Sequence, residues 1–160
     1  MESRSRRLTT AAVLAAAIAM PAEGLRQVAY RDPVGIPTIC FGSTRGVKMG
    51  DTATADQCKA LLTKEMLEAV QQVEICVPNA PTPVLAAFAD AVYNIGPRIA
   101  CDTAVSTAAR LLKVSNWSAA CKQLPKWDKA RVAGTLVALP GLTKRRNAEM
   151  ELCLTWSQQG

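Results

Sequence analysis

The run Glu23-Gly24-Leu25-Arg26-Gln27-Val28-Ala29-Tyr30-Arg31-Asp32-Pro33-Val34-Gly35-Ile36-Pro37-Thr38-Ile39-Cys40-Phe41-Gly42 decides how this chain is read. Glu23 to Ala29 reads as a short helix, with Pro21 at a position that opens a helix or kinks one already running. Asp32-Pro33-Val34-Gly35 is a turn signal, and Pro37-Thr38-Ile39-Cys40-Phe41 reads as a short strand. The stretch thus sets one carboxylate, Glu23, on a helix, a second, Asp32, in the turn leaving it, and a hydroxyl, Thr38, on the next strand. Cleavage of a glycosidic bond needs such a set. One carboxylic acid protonates the leaving oxygen, and one carboxylate assists water or stabilises positive charge on the sugar. A cleft can keep the first protonated by desolvation, while a solvated turn leaves the second ionised. Spacing alone does not separate this from a solvated helix end followed by an Asp-Pro turn.

Outward from this run, Gly42, Gly46 and Gly50 punctuate the chain, and a further strand near Val47 completes a hairpin or a three-stranded sheet. Thr54 with Gln57 is a capping box. Leu61, Leu62, Leu67, Val70 and Val73 then recur at helical spacing to about Ile75. Pro78, Pro81 and Pro83 form a stiff connection to a helix over Val84–Ile95, which stops at Gly96-Pro97. Further helices are expected over Thr103–Lys113, from an Asn116 cap to about Leu124, and from Gly141-Leu142-Thr143 to about Ser157. The class is α+β: a small N-terminal antiparallel sheet, a long connecting helix and a helical C-terminal lobe. A cleft between the lobes is the natural ligand site.

The 160 residues suit one domain, and 49% hydrophobic with 20% charged residues is a globular balance. A net charge of +6 draws polyanions: nucleic acid, anionic lipid or bacterial wall polymer. The basic residues do not gather on one helix with aromatics, which argues against nucleic acid. The absence of histidine excludes Ser-His-Asp and Cys-His machinery. No C-x-x-C pair is present, so neither a metal nor another cofactor is expected. Arg4, Arg6 and Arg7 precede an uncharged run, Leu8–Ala22, in the layout of an export signal. The run is Ala-rich and shorter than the roughly 20 strongly apolar residues of a stable span, so the bilayer would hold it poorly. The competing reading is an N-terminal helix packed on the core.

The pattern E-G-x-R-x-x-x-Y-x-D-x-x-G-x-x-T-x-C-x-G, carried by Glu23 to Gly42, resembles the active-site signature of the phage muramidases of glycoside hydrolase family 24. Ala91-Val92-Tyr93-Asn94-Ile95-Gly96 resembles the family's helix end that lines the cleft. Gly141-Leu142-Thr143-Lys144-Arg145-Arg146-Asn147-Ala148-Glu149 resembles its G-L-x-x-R-R-x-x-E segment, and Trp127 stands where a basic residue and Trp are usual. The resemblance covers Pro21 to about Gln158 and implies a lysozyme-like fold. It implies Glu23 as proton donor, Asp32 as second carboxylate, Thr38 as the residue holding the attacking water, and inversion at the sugar. The implied substrate is the β-1,4 bond between N-acetylmuramic acid and N-acetylglucosamine. The two carboxylates should face one cleft, nearer the ~6.5–9.5 Å of inverting enzymes than the roughly 5–5.5 Å of retaining ones. Two departures stand out: Pro37, where an aromatic is common, and Ser43, where several relatives have His.

Tyr93 reads equally as core and as a sugar platform, and Asn94 as a cap or a substrate contact. Arg145 and Arg146 either offset the acidic groups of the last helix or, as the resemblance implies, one of them reaches Glu23 and orients the acid. Trp117, Trp127 and Trp156 read as core. Cys40, Cys58, Cys76, Cys101, Cys121 and Cys153 permit fifteen full pairings. The expectation is Cys40–Cys58, Cys76–Cys101 and Cys121–Cys153. Residues 1–22 are expected to serve as an export and anchor segment, tethering the chain to the bacterial inner membrane through residues 8–22 before release into the periplasm. Residues 23–160 would form a monomeric catalytic domain acting on peptidoglycan. The alternatives are a lytic transglycosylase, which needs only one Glu, and a basic membrane-disrupting protein without catalysis.

Overall fold

A computed structural model describes residues 2–158; Met1, Gln159 and Gly160 lie outside the described residues. The chain begins with a 20-residue helix, α1 (Arg4–Glu23), capped by the Ser3 side chain, which accepts from the Arg6 backbone N–H. Leu8, Ala11, Ala12, Ala15, Ala16 and Ala19 are buried, one face at the i, i+3, i+4 spacing. Their small side chains let α1 lie close against α2 (Ala55–Cys76) and α3 (Thr82–Ile95). The Arg7 guanidinium pairs with Glu74 of α2 and donates to the Ala80 carbonyl at 2.8 Å, fastening the start of α1 to the core. The apolar run packs here as a helix against the core, and that helix continues to Glu23.

The expected helix over Glu23–Ala29 is corrected: Glu23 is the last residue of a helix that precedes it. Gly24 adopts φ +74 and ends α1, its N–H bonding the Met20 carbonyl. Val28 and Tyr30 then favour extended chain, and β1 (Arg26–Arg31) pairs antiparallel with β2 (Pro37–Cys40), Tyr30 opposite Thr38. Pro37 opens its strand, a position that tolerates a missing N–H. The third strand expected near Val47 is reduced to one bridge further on, Val28 with Thr52.

The capping box at Thr54 and Gln57 forms as expected, and α2 then runs 22 residues. Helix α3 is buried around nearly its whole circumference and sits at the centre of the molecule. The helix expected from Thr103 is split. A short α4 (Arg98–Cys101) ends at Asp102, and α5 (Thr107–Lys113) starts only after the Ser106 side chain accepts from Ala109 N–H. Next, α6 (Trp117–Cys121) stops short of Leu124, where Pro125 sits in a separate 3-10 turn, Leu124–Trp127. A hairpin that was not anticipated follows, β3 (Lys129–Val132) with β4 (Thr135–Ala138). Its Ala133-Gly134 turn has both φ values positive, 50 and 83, the type I′ geometry that suits hairpins. The last helix, α7 (Pro140–Leu154), starts at Pro140, and Thr143 donates to Asp128 Oδ2 at 2.7 Å instead of capping. Trp117, Trp127 and Trp156 pack partly buried against the core.

All three disulfides form in the expected pairs: Cys40–Cys58 ties β2 to α2, Cys76–Cys101 ties α2 to α4, and Cys121–Cys153 ties α6 to α7.

Candidate active site

Glu23 hangs from the C-terminal end of α1, and Gly42, just past β2, closes on it. A Cβ on Gly42 would meet Glu23 Oε2 at 3.5 Å, and φ +93 there suits only glycine. From the other side, Arg145 Nη1 donates to Glu23 Oε1 at 2.6 Å. The Glu23 side chain is 27% exposed and that of Arg145 only 4%, so the acid reaches solvent while its partner is held inside. Arg145 also grips Asp90 of α3 with two bonds, Nε to Oδ2 at 2.9 Å and Nη2 to Oδ1 at 2.7 Å. Burial pulls the guanidinium down, but hydrogen bonds and charge from Asp90, then from Glu23, outweigh it and leave Arg145 above its ordinary value.

Asp32 and Thr38 both bond the backbone of one residue, Ile36. Asp32 Oδ1 accepts from the N–H of Val34 at 2.9 Å and of Ile36 at 2.8 Å. Thr38 Oγ1 donates to the Ile36 carbonyl at 2.9 Å. One Asp32 oxygen is thus fixed by the turn, and the buried Thr38 hydroxyl keeps its lone pairs as acceptors.

One of the two arginines was expected to reach Glu23, and Arg145 does. Neighbouring helical residues point to different faces, and Arg146 turns inward to Glu149 Oε1 at 2.5 Å, both side chains at 0% exposure. Glu149 is pushed up to about 9, first by burial and then by a hydrogen bond with Asp90, against the Arg146 charge. The close ion-pair geometry and this upward shift point opposite ways. A neutral carboxyl still accepts from Arg146 through its carbonyl oxygen, so the distance does not require a charge, and at zero exposure burial decides for the protonated form.

Tyr93 and Asn94 end α3. Tyr93 is half-buried, its hydroxyl pushed up by burial and then by the carboxylates of Glu65 and Glu23. Asn94 joins Glu23 and Arg145 in lining a cavity of about 640 Å³ between the end of α1 and the start of α7, walled also by Ile18, Leu139 and Leu142. Asn94 Oδ1 is buried and has no hydrogen-bond partner among the described residues. Ser43, at the position of the departure, donates to Glu65 Oε1 at 2.5 Å and so holds that α2 carboxylate with a hydroxyl.

Asp90 went unnoticed in the sequence, and Glu149 was seen only as the end of the G-L-x-x-R-R-x-x-E segment, with no role attached. A signal was present for the first: Asp90 is the one charged residue in Thr82–Ile95, an otherwise apolar helix, and a charge there needs a buried partner.

The family model described as phage lysozyme matches residues 20–149. The SAR-endolysin of Pseudomonas phage phiKMV is 39% identical over 152 residues, 92% of each chain. Among solved structures, the muramidase domain of SpmX from Asticaccaulis excentricus superposes with a TM-score of 0.78 at 27% identity, covering 96% of this chain and 97% of that one. The active form of P1 phage endolysin Lyz gives a TM-score of 0.75 at 28% identity, covering 89% and 83%.

Proposed function

The chain belongs to the phage lysozyme family, and from that premise we propose that it is an endolysin hydrolysing the β-1,4 bond between N-acetylmuramic acid and N-acetylglucosamine of peptidoglycan for host-cell lysis. The observation that carries this reading is Glu23, solvent-reachable, clamped between Gly42 and Arg145 at the mouth of a cavity of about 640 Å³. In the forward step Glu23 gives its proton to the glycosidic oxygen as the bond to the sugar carbon breaks. Asp32, pinned by its turn, accepts the proton of a water held with Thr38, and that water attacks the opposite face of the ring. Tyr93 and Asn94 contact the glycan. No cofactor enters. Reducing-sugar release from purified peptidoglycan tests the reading. Lytic transglycosylation gives 1,6-anhydro ends instead, and membrane disruption releases no sugar.

The same N-terminal segment serves first as tether and then as part of the enzyme. No helix among the described residues is long and apolar enough to cross a membrane by ordinary hydropathy, which fits a bilayer hold that is weak by construction. Leaving the bilayer is not opposed by the hydrophobic effect, because Leu8, Ala11, Ala12, Ala15, Ala16 and Ala19 pass from lipid tails to an equally apolar core. While residues 8–22 lie in the inner membrane, Glu23 is held at its surface, away from Arg145 and Asp32. Release into the periplasm assembles the site on a monomer.

The exposed face of α1 gives a clean test. Thr9 and Thr10 are exposed, so Leu at both leaves core packing intact. Each Leu favours insertion by about 0.3–0.6 kcal/mol near a helix centre. Thr9→Leu/Thr10→Leu protein is expected to shift toward the membrane fraction and lyse later. Unchanged fractionation and timing would count against a tether through this helix.

A further inference from the structure

A carboxylate buried in an apolar helix is costly unless something requires it. Asp90, at 0% exposure amid Phe88, Ala89 and Ala91, meets its cost by gripping Arg145 through both oxygens. That grip fixes the plane of the guanidinium. A planar fork held along one edge has its remaining Nη1–H directions set, and here Nη1 lies 2.6 Å from Glu23 Oε1. From this geometry we propose that Asp90 is a positioning residue for the proton donor, acting through Arg145 to aim one N–H at Glu23. The idea rests on Glu23 being the acid.

The surroundings support a device tuned in charge. Asp90 faces Arg145 and Glu149 from α7; Arg146 pairs with Glu149, Glu23 approaches from α1, and Tyr93 of α3 has Glu65 of α2 as a further neighbour. Two guanidiniums meet three carboxyl groups in the buried part of this network. Two neighbouring buried carboxyls are favoured with one of them protonated. With Glu149 as that neutral member, Asp90 and Glu23 balance Arg145 and Arg146. Glu149 Oε1 accepts from Arg146 Nη2, and Oε2 has no hydrogen-bond partner among the described residues. Asp90 thus offsets Arg145 from behind, so the charge facing Glu23 is partly spent before it reaches the acid.

The test compares Asp90→Asn and Arg145→Lys with the parent enzyme, and Asp90→Asn again in an Arg145→Met background. The readouts are kcat, KM and the pH–rate profile on purified soluble glycan fragments, with circular dichroism establishing the folded fraction. Asp90→Asn leaves the Arg145 charge unopposed beside Glu23 and favours the ionised acid. The alkaline limb is expected to move about one pH unit lower, and kcat at neutral pH to fall about tenfold, with KM within about twofold. Arg145→Lys keeps the charge but cannot grip Asp90 at two points and reach Glu23 at once, so kcat should fall at least tenfold. In the Arg145→Met background Asp90→Asn should change nothing further. The proposal is overturned by an unmoved alkaline limb in folded Asp90→Asn protein, by an equal shift in the Arg145→Met background, or by parental kcat for Arg145→Lys. Should Asp90→Asn protein not fold, the Arg145→Lys result alone decides. Parental activity in a folded Glu23→Gln enzyme would instead count against the parent reading, not against Asp90.

Discussion

Glu23→Gln protein is expected to clear purified peptidoglycan about 10²–10⁴-fold more slowly than the parent, the usual contribution of a positioned general acid. Its fold should be unaffected. The Gln carbonyl oxygen still accepts from Arg145 Nη1, the side chain it replaces is 27% exposed, and nothing else in the core touches it except the Gly42 turn. What the amide lacks is a proton to give to the leaving oxygen. A turbidity assay with matched thermal midpoints separates the two effects. Parental clearing by a folded Glu23→Gln protein would remove this residue from the chemistry.

The second large effect is on stability. The three disulfides close segments of 18, 25 and 32 residues, each contributing about 3–4 kcal/mol in the chain-entropy account and often less in practice. A domain of this kind holds only about 5–15 kcal/mol in total. Full reduction is therefore expected to unfold the protein near physiological temperature. Loss of Cys121–Cys153 alone, by Cys121→Ala with Cys153→Ala, should lower stability by about 2–4 kcal/mol in urea titration. Both sulfurs are fully buried, and they join the helix after α5 to the helix that carries Arg145. Activity of this variant should therefore decline with temperature ahead of the parent's. A thermal midpoint indifferent to reductant would refute the estimate. The same arithmetic ties the enzyme to an oxidising compartment.

Residues with a strong local signal were placed from the sequence. Thr54 and Gln57 form the reciprocal cap that starts α2, and Gly96 stops α3 at φ +90. Asp32-Pro33-Val34-Gly35 is the turn its residues imply. The misplacements have one physical cause, tertiary pairing overriding local pattern. Arg26–Arg31 contains nothing that forbids a helix, and its strand depends on partners at Pro37–Cys40 and Thr52. The β3–β4 hairpin had a legible cue, Ala133-Gly134 inside a β-branched run, but its strands are short and exposed, so no burial pattern advertised them. At the site, motif order picked out Glu23, Asp32, Thr38 and the Arg145-Arg146 pair. It could not tell which arginine faces the acid, because that depends on the phase of α7. The pairing of Asp90 and Glu149 was illegible for another reason: their partners lie 55 residues away or on the next helix turn.

The central claim is two-carboxylate hydrolysis, with Glu23 protonating the leaving oxygen while Asp32 activates water on the opposite face. The most direct measurement is time-resolved proton NMR of soluble glycan fragments during cleavage, at enzyme levels that outrun mutarotation. The account predicts that the new N-acetylmuramic acid end appears first as the α anomer, inverted from the β bond, and relaxes afterwards to the equilibrium mixture. First appearance of the β anomer, or of a 1,6-anhydro end that never becomes reducing, would contradict it.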